Sequence, residues 1–330
     1  MKGIRTILAV LLVFSLSFGI VAAGWPTKPI NIIVPWNPGG ASDLTARTLA
    51  VEMEKYLKQR ITITNTPGAS GAIGTQAMFD APRDGYTWSA NADVSIVTYQ
   101  ILGYLKISHK QYASFLGLFT PNVVCVPASS PFNDLSGLIE AMKTKQLSVA
   151  SAGAGSSGHL AAEFFKKYAK VDYKHVPYQG GAPAVTATVK GEVDAVMQLS
   201  MEVTEMLRAK QLKALAVMSR EPLTVEGYGV IPSITKWLPN FPDVGSNFGL
   251  FIPKDIPRDV LTKINKAFAY ACRSAVLKKF AGERVCKVVG IYGEKADQIV
   301  DAVASRVTWL LYETGNAKYS PAEFGIPKLE

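Results

Sequence analysis

Charge is sparse in this chain of 330 residues. Charged side chains make up 18% of it and apolar ones 48%, a balance that suits a packed protein and excludes a disordered, charge-extended one. Cysteine is sparser: three residues, with no C-x-x-C pair, so neither a zinc knuckle nor a dithiol redox centre is expected. The three histidines, His109, His159 and His175, stand without metal-ligand spacing, and no H-E-x-x-H is present. No metal and no cofactor are therefore expected. No Lys/Arg run interleaves with aromatics, which leaves nucleic-acid binding unsupported. A G-x-S-x-G nucleophile elbow is also missing. After residue 23 no stretch is long and apolar enough to cross a bilayer.

What the N-terminus does have is a targeting pattern. Lys2 and Arg5 precede an uncharged apolar run from Ile7 to Val21, about 15 residues where a membrane span needs ~20. Val21 and Ala23 are small enough for a signal-peptidase site, so residues 1–23 are expected to be a signal peptide cleaved after Ala23. No cysteine follows the run, which argues against a lipid anchor. The expected product is an exported, soluble, periplasmic protein. Without Lys2 and Arg5 the net charge falls from +9 to about +7, either an ordinary solvated surface or an attraction for anions.

The length is too great for one typical core and suits two lobes. Strand and helix patterns alternate. "INIIVPW" (30–36), "ITITNT" (61–66) and "YTWSA" (86–90) read as strands, and 42–57 as a helix whose apolar face carries Ala46, Leu49, Ala50, Met53 and Leu57. Such a βαβ series predicts a parallel-rich sheet covered by helices. "GLFTPNVVCVP" (117–127) reads as a crossover strand holding Cys125 as an inert core thiol. A second series follows, with strands near 147–152, 173–178, 193–199 and 212–219 and helices between them. Residues 221–243 are rich in Pro and Gly and read as a connection. "GLFIPKDIP" (249–257) leads into two or three helices, the last at about 294–313, which needs an apolar surface to cover, the first lobe being the obvious one. Cys272 and Cys286 lie in this part, and spacing alone leaves open whether they pair.

Three strand-to-helix turns are Gly-rich: "PWNPGGASD" (35–43), "SAGAGSSGH" (151–159) and "YQGGAPA" (178–184). Helix starts carry unpaired N–H groups and partial positive charge, and Gly lets a ligand approach the backbone. Divided between two lobes, three such turns point to an anionic small-molecule site. The first two units, "INIIVPWNPGGASDLTARTLA" and "LSVASAGAGSSGHLAAEFF", echo each other about 118 residues apart. Gly153, Gly155 and Gly158 fit G-x-G-x-x-G, but a dinucleotide site needs an acid at the end of the next strand. That strand ends in "HVPY", with Asp172 at its start. A hydrolase using Ser156 or Ser157 with His159 or His175 lacks a placed third member.

At these residues the chain resembles the substrate-binding proteins of tripartite tricarboxylate transporters, the Bug-type extracytoplasmic receptors. "PWNPGGASDLTAR", "NTPGASGAIGTQAMFDAPRDGYTW", "SAGAGSSGHLAAEFF", "VPYQGGAPAVTATVKGEVDAVM" and "LKALAVMS" occur in the family's order, across nearly all of the chain from Trp25 to "PAEFG". The resemblance implies an α/β, two-lobed periplasmic-binding-protein (Venus-flytrap) clamshell without catalysis. Lobe 1 would comprise 24–124 with 248–330, and lobe 2 would comprise 125–247. It implies capture of a small organic carboxylate (dicarboxylate, tricarboxylate, aromatic acid or amino acid) between the lobes, and delivery by a monomer to membrane subunits of a transporter. An exported hydrolase and a ligand-sensing partner of a membrane signalling protein are the alternatives. By motif the contacts are Pro35, Trp36, Asn37, Gly39, Gly40, Ser42 and Asp43 in the first turn. Gly155, Ser156, Ser157 and His159 follow in the second, and Tyr178, Gln179, Gly180 and Ala182 in the third. The polar "SANADVS" (89–95) adds Asn91, with Asp93 left open, and "QLSMEV" (198–203) adds Gln198 and Ser200. Asp43 either caps the first helix or reads a ligand donor. Trp36 either walls the pocket or packs as core, and His159 either touches ligand or packs over the helix start.

Overall fold

The computed structural model describes residues 24–328. Residues 1–23, the expected signal peptide, lie outside the described residues.

The first series runs β1 (Ile30–Val34), α1 (Ala41–Leu57), β2 (Ile61–Asn65), α2 (Ala72–Phe79), β3 (Thr87–Ala92) and α3 (Asp93–Leu102). β1 lies between β2 and β3, parallel to both. The five apolar residues read onto the face of α1 are all buried, and α1 packs against a later helix, Arg258–Arg273. α3 is a helix that the polar stretch at 89–95 did not announce.

A strand of 16 residues, β4 (Tyr112–Pro127), then crosses the molecule. It is followed by α4 (Leu135–Thr144), β5 (Leu147–Ser151), α5 (Ser157–Ala169), β6 (Tyr173–Pro177), α6 (Gly181–Val189), β7 (Ala195–Leu199), α7 (Ser200–Arg208) and β8 (Leu212–Val217). β5 lies between β6 and β7, parallel to both. The Pro/Gly-rich connection holds a small hairpin, β9 (Leu223–Val225) with β10 (Gly229–Ile231). The chain returns through β11 (Gly245–Pro253), α8 (Arg258–Arg273), α9 (Ala275–Glu283), β12 (Lys287–Tyr292) and α10 (Glu294–Glu313).

β4 belongs to both halves of the fold. Its first part pairs antiparallel with β11 and β12, and its end, from Asn122, pairs with β7 and β8. Each half is thus a parallel trio joined to antiparallel strands. Where the halves meet, three backbone bonds close a ring. Asn122 N–H donates to Val244 at 3.0 Å, Val244 N–H to Met218 at 2.8 Å and Met218 N–H to Asn122 at 2.8 Å. No side chain is needed for that junction.

The core of the first half sets Phe115 on β4 edge-on against Phe268 of α8, centroids 5.3 Å apart. Burying each such ring contributes roughly 1.5–3 kcal/mol. α10 packs against α3, as expected of a tail covering the first lobe, but also against α5, where Lys167 and Glu313 pair at 3.0 Å. Cys125, Cys272 and Cys286 are free thiols. Among the described residues no helix is long and apolar enough to cross a membrane.

β4 and β11 slip register between Phe248 and Gly249. There the Gly249 backbone lies so close to Phe115 that a Cβ would strike its carbonyl. Gly249→Ala is expected to destabilise the protein by about 2–3 kcal/mol, read as a lower midpoint of urea unfolding. A midpoint equal to wild type contradicts this packing.

Candidate ligand-binding cleft

The β1–α1 turn leaves a helix start without a cap of its own. Gly40 is the N-cap and offers no side chain. Asp43, inside the first turn, is directed elsewhere: its Oδ2 accepts Gly39 N–H at 3.0 Å, and Arg47 clamps both its oxygens at 2.9 Å. Burial pushes this carboxyl up, but Arg47, the Gly39 amide and Asn65 together hold it below its usual value. Asp43 therefore steadies the turn. The acceptor for α1 comes from the other half of the fold: Glu202 on α7 takes the Ala41 N–H on its Oε1 at 2.7 Å. Gly181, the first residue of α6, abuts the same carboxylate so closely that a Cβ there would collide with it. One glutamate thus sits between two helix starts, where partial positive charge favours an anion. Burial still raises it to about 7, against the Ala41 amide and Gln198, which favour the charged form.

α5 caps itself. Ser156 Oγ accepts His159 N–H at 3.4 Å, and Ser157 Oγ is 2.7 Å from Ser246 Oγ. The His159 ring lies behind this start. Its Nδ1 accepts Gly155 N–H at 3.1 Å, and its plane stacks on His175 at 4.2 Å between centroids. His175 is 2.6 Å from Ser151 Oγ. Burial lowers both imidazoles to about 4, so they are neutral packing groups. Neither Ser156 nor Ser157 has a histidine ring as hydrogen-bond partner, which removes the imagined nucleophile–base pair.

The starts of α1, α5 and α6 border a cavity of about 30 Å³, room for water but not for an organic acid. Its wall carries Trp36, Gly40, Ser42, Ser156, Ser157 and Gln198 from the sequence-derived set, and Ser95, Phe248 and Glu202 from outside it. No lysine, arginine or histidine is on that wall. Trp36 lines the cavity and is 7% exposed, with Nε1 donating to Asn91 Oδ1 at 3.0 Å. Asn91 lies behind it, held also to the Tyr99 hydroxyl.

The remaining sequence-derived residues surround the cavity without lining it. Asn37 N–H meets the Gln179 carbonyl at 3.3 Å across the cleft. Gly180 lies against Asn37, and Gly39 faces Ala182. Pro35 is buried against Gly74. Tyr178 is half-buried and packs on the core of the second half. Ser200 turns away: it is 2.8 Å from Thr120 Oγ1 and donates to the Val285 carbonyl, also at 2.8 Å. Asp93, the first residue of α3, is buried and held by Asn247 N–H and Nδ2 at 3.1 and 2.6 Å. Burial lifts it to about 6. Glu202 escaped the sequence reading because an acid in a first helical turn is an ordinary complement to the helix dipole. Only the fold reveals that it serves another helix.

A sequence profile described as the tripartite tricarboxylate transporter family receptor matches residues 45–313. The chain belongs to this family. Among its relatives, a protein of the tcbD–tcbE intergenic region of Pseudomonas sp. strain P51 is 35% identical over 251 residues, 73% of each chain. BugT of Bordetella pertussis is 29% identical over 323 residues, 94% of this chain and 97% of its own. Of solved structures, MatC from Rhodopseudomonas palustris with bound malate superposes with TM-score 0.80 at 26% identity, covering 87% of this chain and all of MatC. The periplasmic binding protein BugD gives TM-score 0.82 at 24% identity, over 89% and 100%. The receptor therefore has the two-lobed binding-protein fold and is a solute-binding protein.

The histidine stack has a pH signature. Imidazoles held near 4 when folded and near 6.5 when unfolded contribute stability that is present above 6.5 and lost as pH falls through 4. Glu202 and Asp93, with raised values, act in the opposite sense, so the rings themselves are the readout. Proton NMR of His159 and His175 is expected to show no protonation above pH 5. Titration of His159 near 6.5 contradicts the stacked, buried placement.

Proposed function

We propose that this receptor works in the periplasm, released from its signal peptide after Ala23. There it captures a small organic carboxylate as a monomer and presents it to the membrane subunits of a tripartite tricarboxylate transporter. The lobes are residues 24–124 with 248–330, and 125–247. The observation that carries this reading is the convergence of three Gly-turn helix starts on one cleft whose wall has serine hydroxyls and no basic side chain. Such a cleft binds an anion through amides and hydroxyls, at a distance from any fixed cation. MatC, of like fold, holds malate, which supports the same class of ligand here. Ser156, Ser157 and Ser42 are the side chains that take the carboxylate, with Trp36 as one wall. The role is binding without turnover.

Capture requires the cleft to widen, since the cavity holds only water. Parting of the two halves about β4 and the Asn122–Met218–Val244 ring provides this, and closure excludes water around the ligand.

A thermal-shift series with carboxylates of increasing length tests the reading. A bound acid at a hundred times its Kd stabilises by about 2.7 kcal/mol and is expected to be recovered unchanged. The double variant Ser156→Ala with Ser157→Ala is expected to weaken that binding roughly tenfold or more. A neutral sugar shifting the transition where no acid does, or acid turnover by the wild type, defeats it.

A further inference from the structure

The cleft wall carries one ionisable side chain, Glu202, and no counter-cation. Arg47, nearby on α1, is committed to Asp43. Glu202 Oε1 is satisfied by Ala41 and the Gln198 side-chain amide lies beside the carboxylate, but Oε2 is shielded from solvent and makes no hydrogen bond of ordinary geometry. Gln198, at the end of β7 on the same wall, is 1% exposed, and its Oε1 is likewise without a partner. Two buried acceptors from one strand-to-helix junction thus lack donors at the same cavity. Leaving a buried acceptor unmade costs about 1–3 kcal/mol, more when it is charged. A donor in the cleft relieves that cost. A second ligand carboxylate adds to it, because that carboxylate and Glu202 cannot both be ionised in a water-poor site with no cation between them.

We propose that Glu202 is a specificity-determining residue of this cleft. It accepts a hydrogen bond from an ammonium or amide N–H carried by the ligand, with Gln198 as second acceptor, so the receptor selects amino or amide monocarboxylates over dianions. The proposal rests on the carboxylate-receptor reading above: the ligand's single carboxylate lies at Ser156 and Ser157 and its donor end at α7. The Ala41 bond holds the Glu202 carboxylate in position before ligand arrives, so the donor meets an oriented acceptor.

Matched acids of equal length separate the possibilities: γ-aminobutyrate, succinamate and succinate, with the corresponding three-, five- and six-carbon sets, titrated calorimetrically into the full exported chain and into Glu202→Gln and Glu202→Ser. In wild type, the amino or amide acid of the best-fitting length is expected to bind at least about tenfold tighter than the dianion, the size of one charge-assisted hydrogen bond. In Glu202→Ser that ratio is expected to collapse or invert, with Glu202→Gln losing the ammonium preference and gaining dianion affinity. The ratio is taken within each variant, so partial loss of folding does not move it. Succinate or another dianion binding wild type as tightly as its amino partner overturns the proposal while leaving the receptor reading intact. So does a Glu202 variant that weakens all probes alike, since that marks only a cap on α1. If no acid of any set binds wild type or variant, the carboxylate reading itself fails and this proposal with it.

Discussion

A helix that begins at a cleft brings amides with no partner in their own turn, and the centre of this receptor is organised around supplying acceptors for them. α5 does so locally through Ser156. α1 cannot, because its cap is Gly40 and its first-turn acid, Asp43, is held by Arg47, Asn65 and Gly39. Its acceptor is Glu202, from the other half of the fold. The same amides that suit a ligand's anion are thus partly served by the protein's own carboxylate. This makes the cleft's charge balance unlike that of a simple anion trap. Positive character comes only from backbone dipoles, while the one ionisable side chain on the wall is an acid, Glu202.

The mechanical frame is separate from this chemistry. One strand, β4, takes part in the sheets of both halves, and the ring of backbone bonds among Asn122, Met218 and Val244 ties the crossings together. Backbone bonds of this kind tolerate sequence change and allow bending with little loss of side-chain packing. α10 adds a surface strap, packed on α3 and reaching α5 through Lys167 and Glu313. Exposed ion pairs like that one are worth at most about 1 kcal/mol, so they do not lock the halves.

Much of the fold was legible because periodicity reports it directly. The buried stripe of α1, the alternation of β5, α5, β6 and α6, and the three Gly turns all follow from local spacing. α3 was hidden because its N-terminal residues, Asp93 and Ser95, are polar yet buried by tertiary contacts. β12 was hidden because its residues are only half-buried, which blunts alternation. Among candidate contacts, Ser42, Ser156 and Ser157 reach the cavity wall by belonging to helix starts. Ser200 and Asn91 have equally suggestive sequence settings but turn to Thr120 and Val285, and to Trp36 and Tyr99. Which way a polar side chain faces at a strand end depends on partners far away in the chain.

By itself the sequence determined the family, most of the order of strands and helices, and the existence of amide-lined turns, since those depend on spacing and on glycine's freedom near the chain's own neighbours. The tertiary structure alone decided the electrostatics of the cleft. Glu202 lies 161 residues from Ala41, whose amide it accepts. No local pattern distinguishes a glutamate that serves its own helix from one buried against another, because the distinction is made only when two distant helix starts are brought together around it.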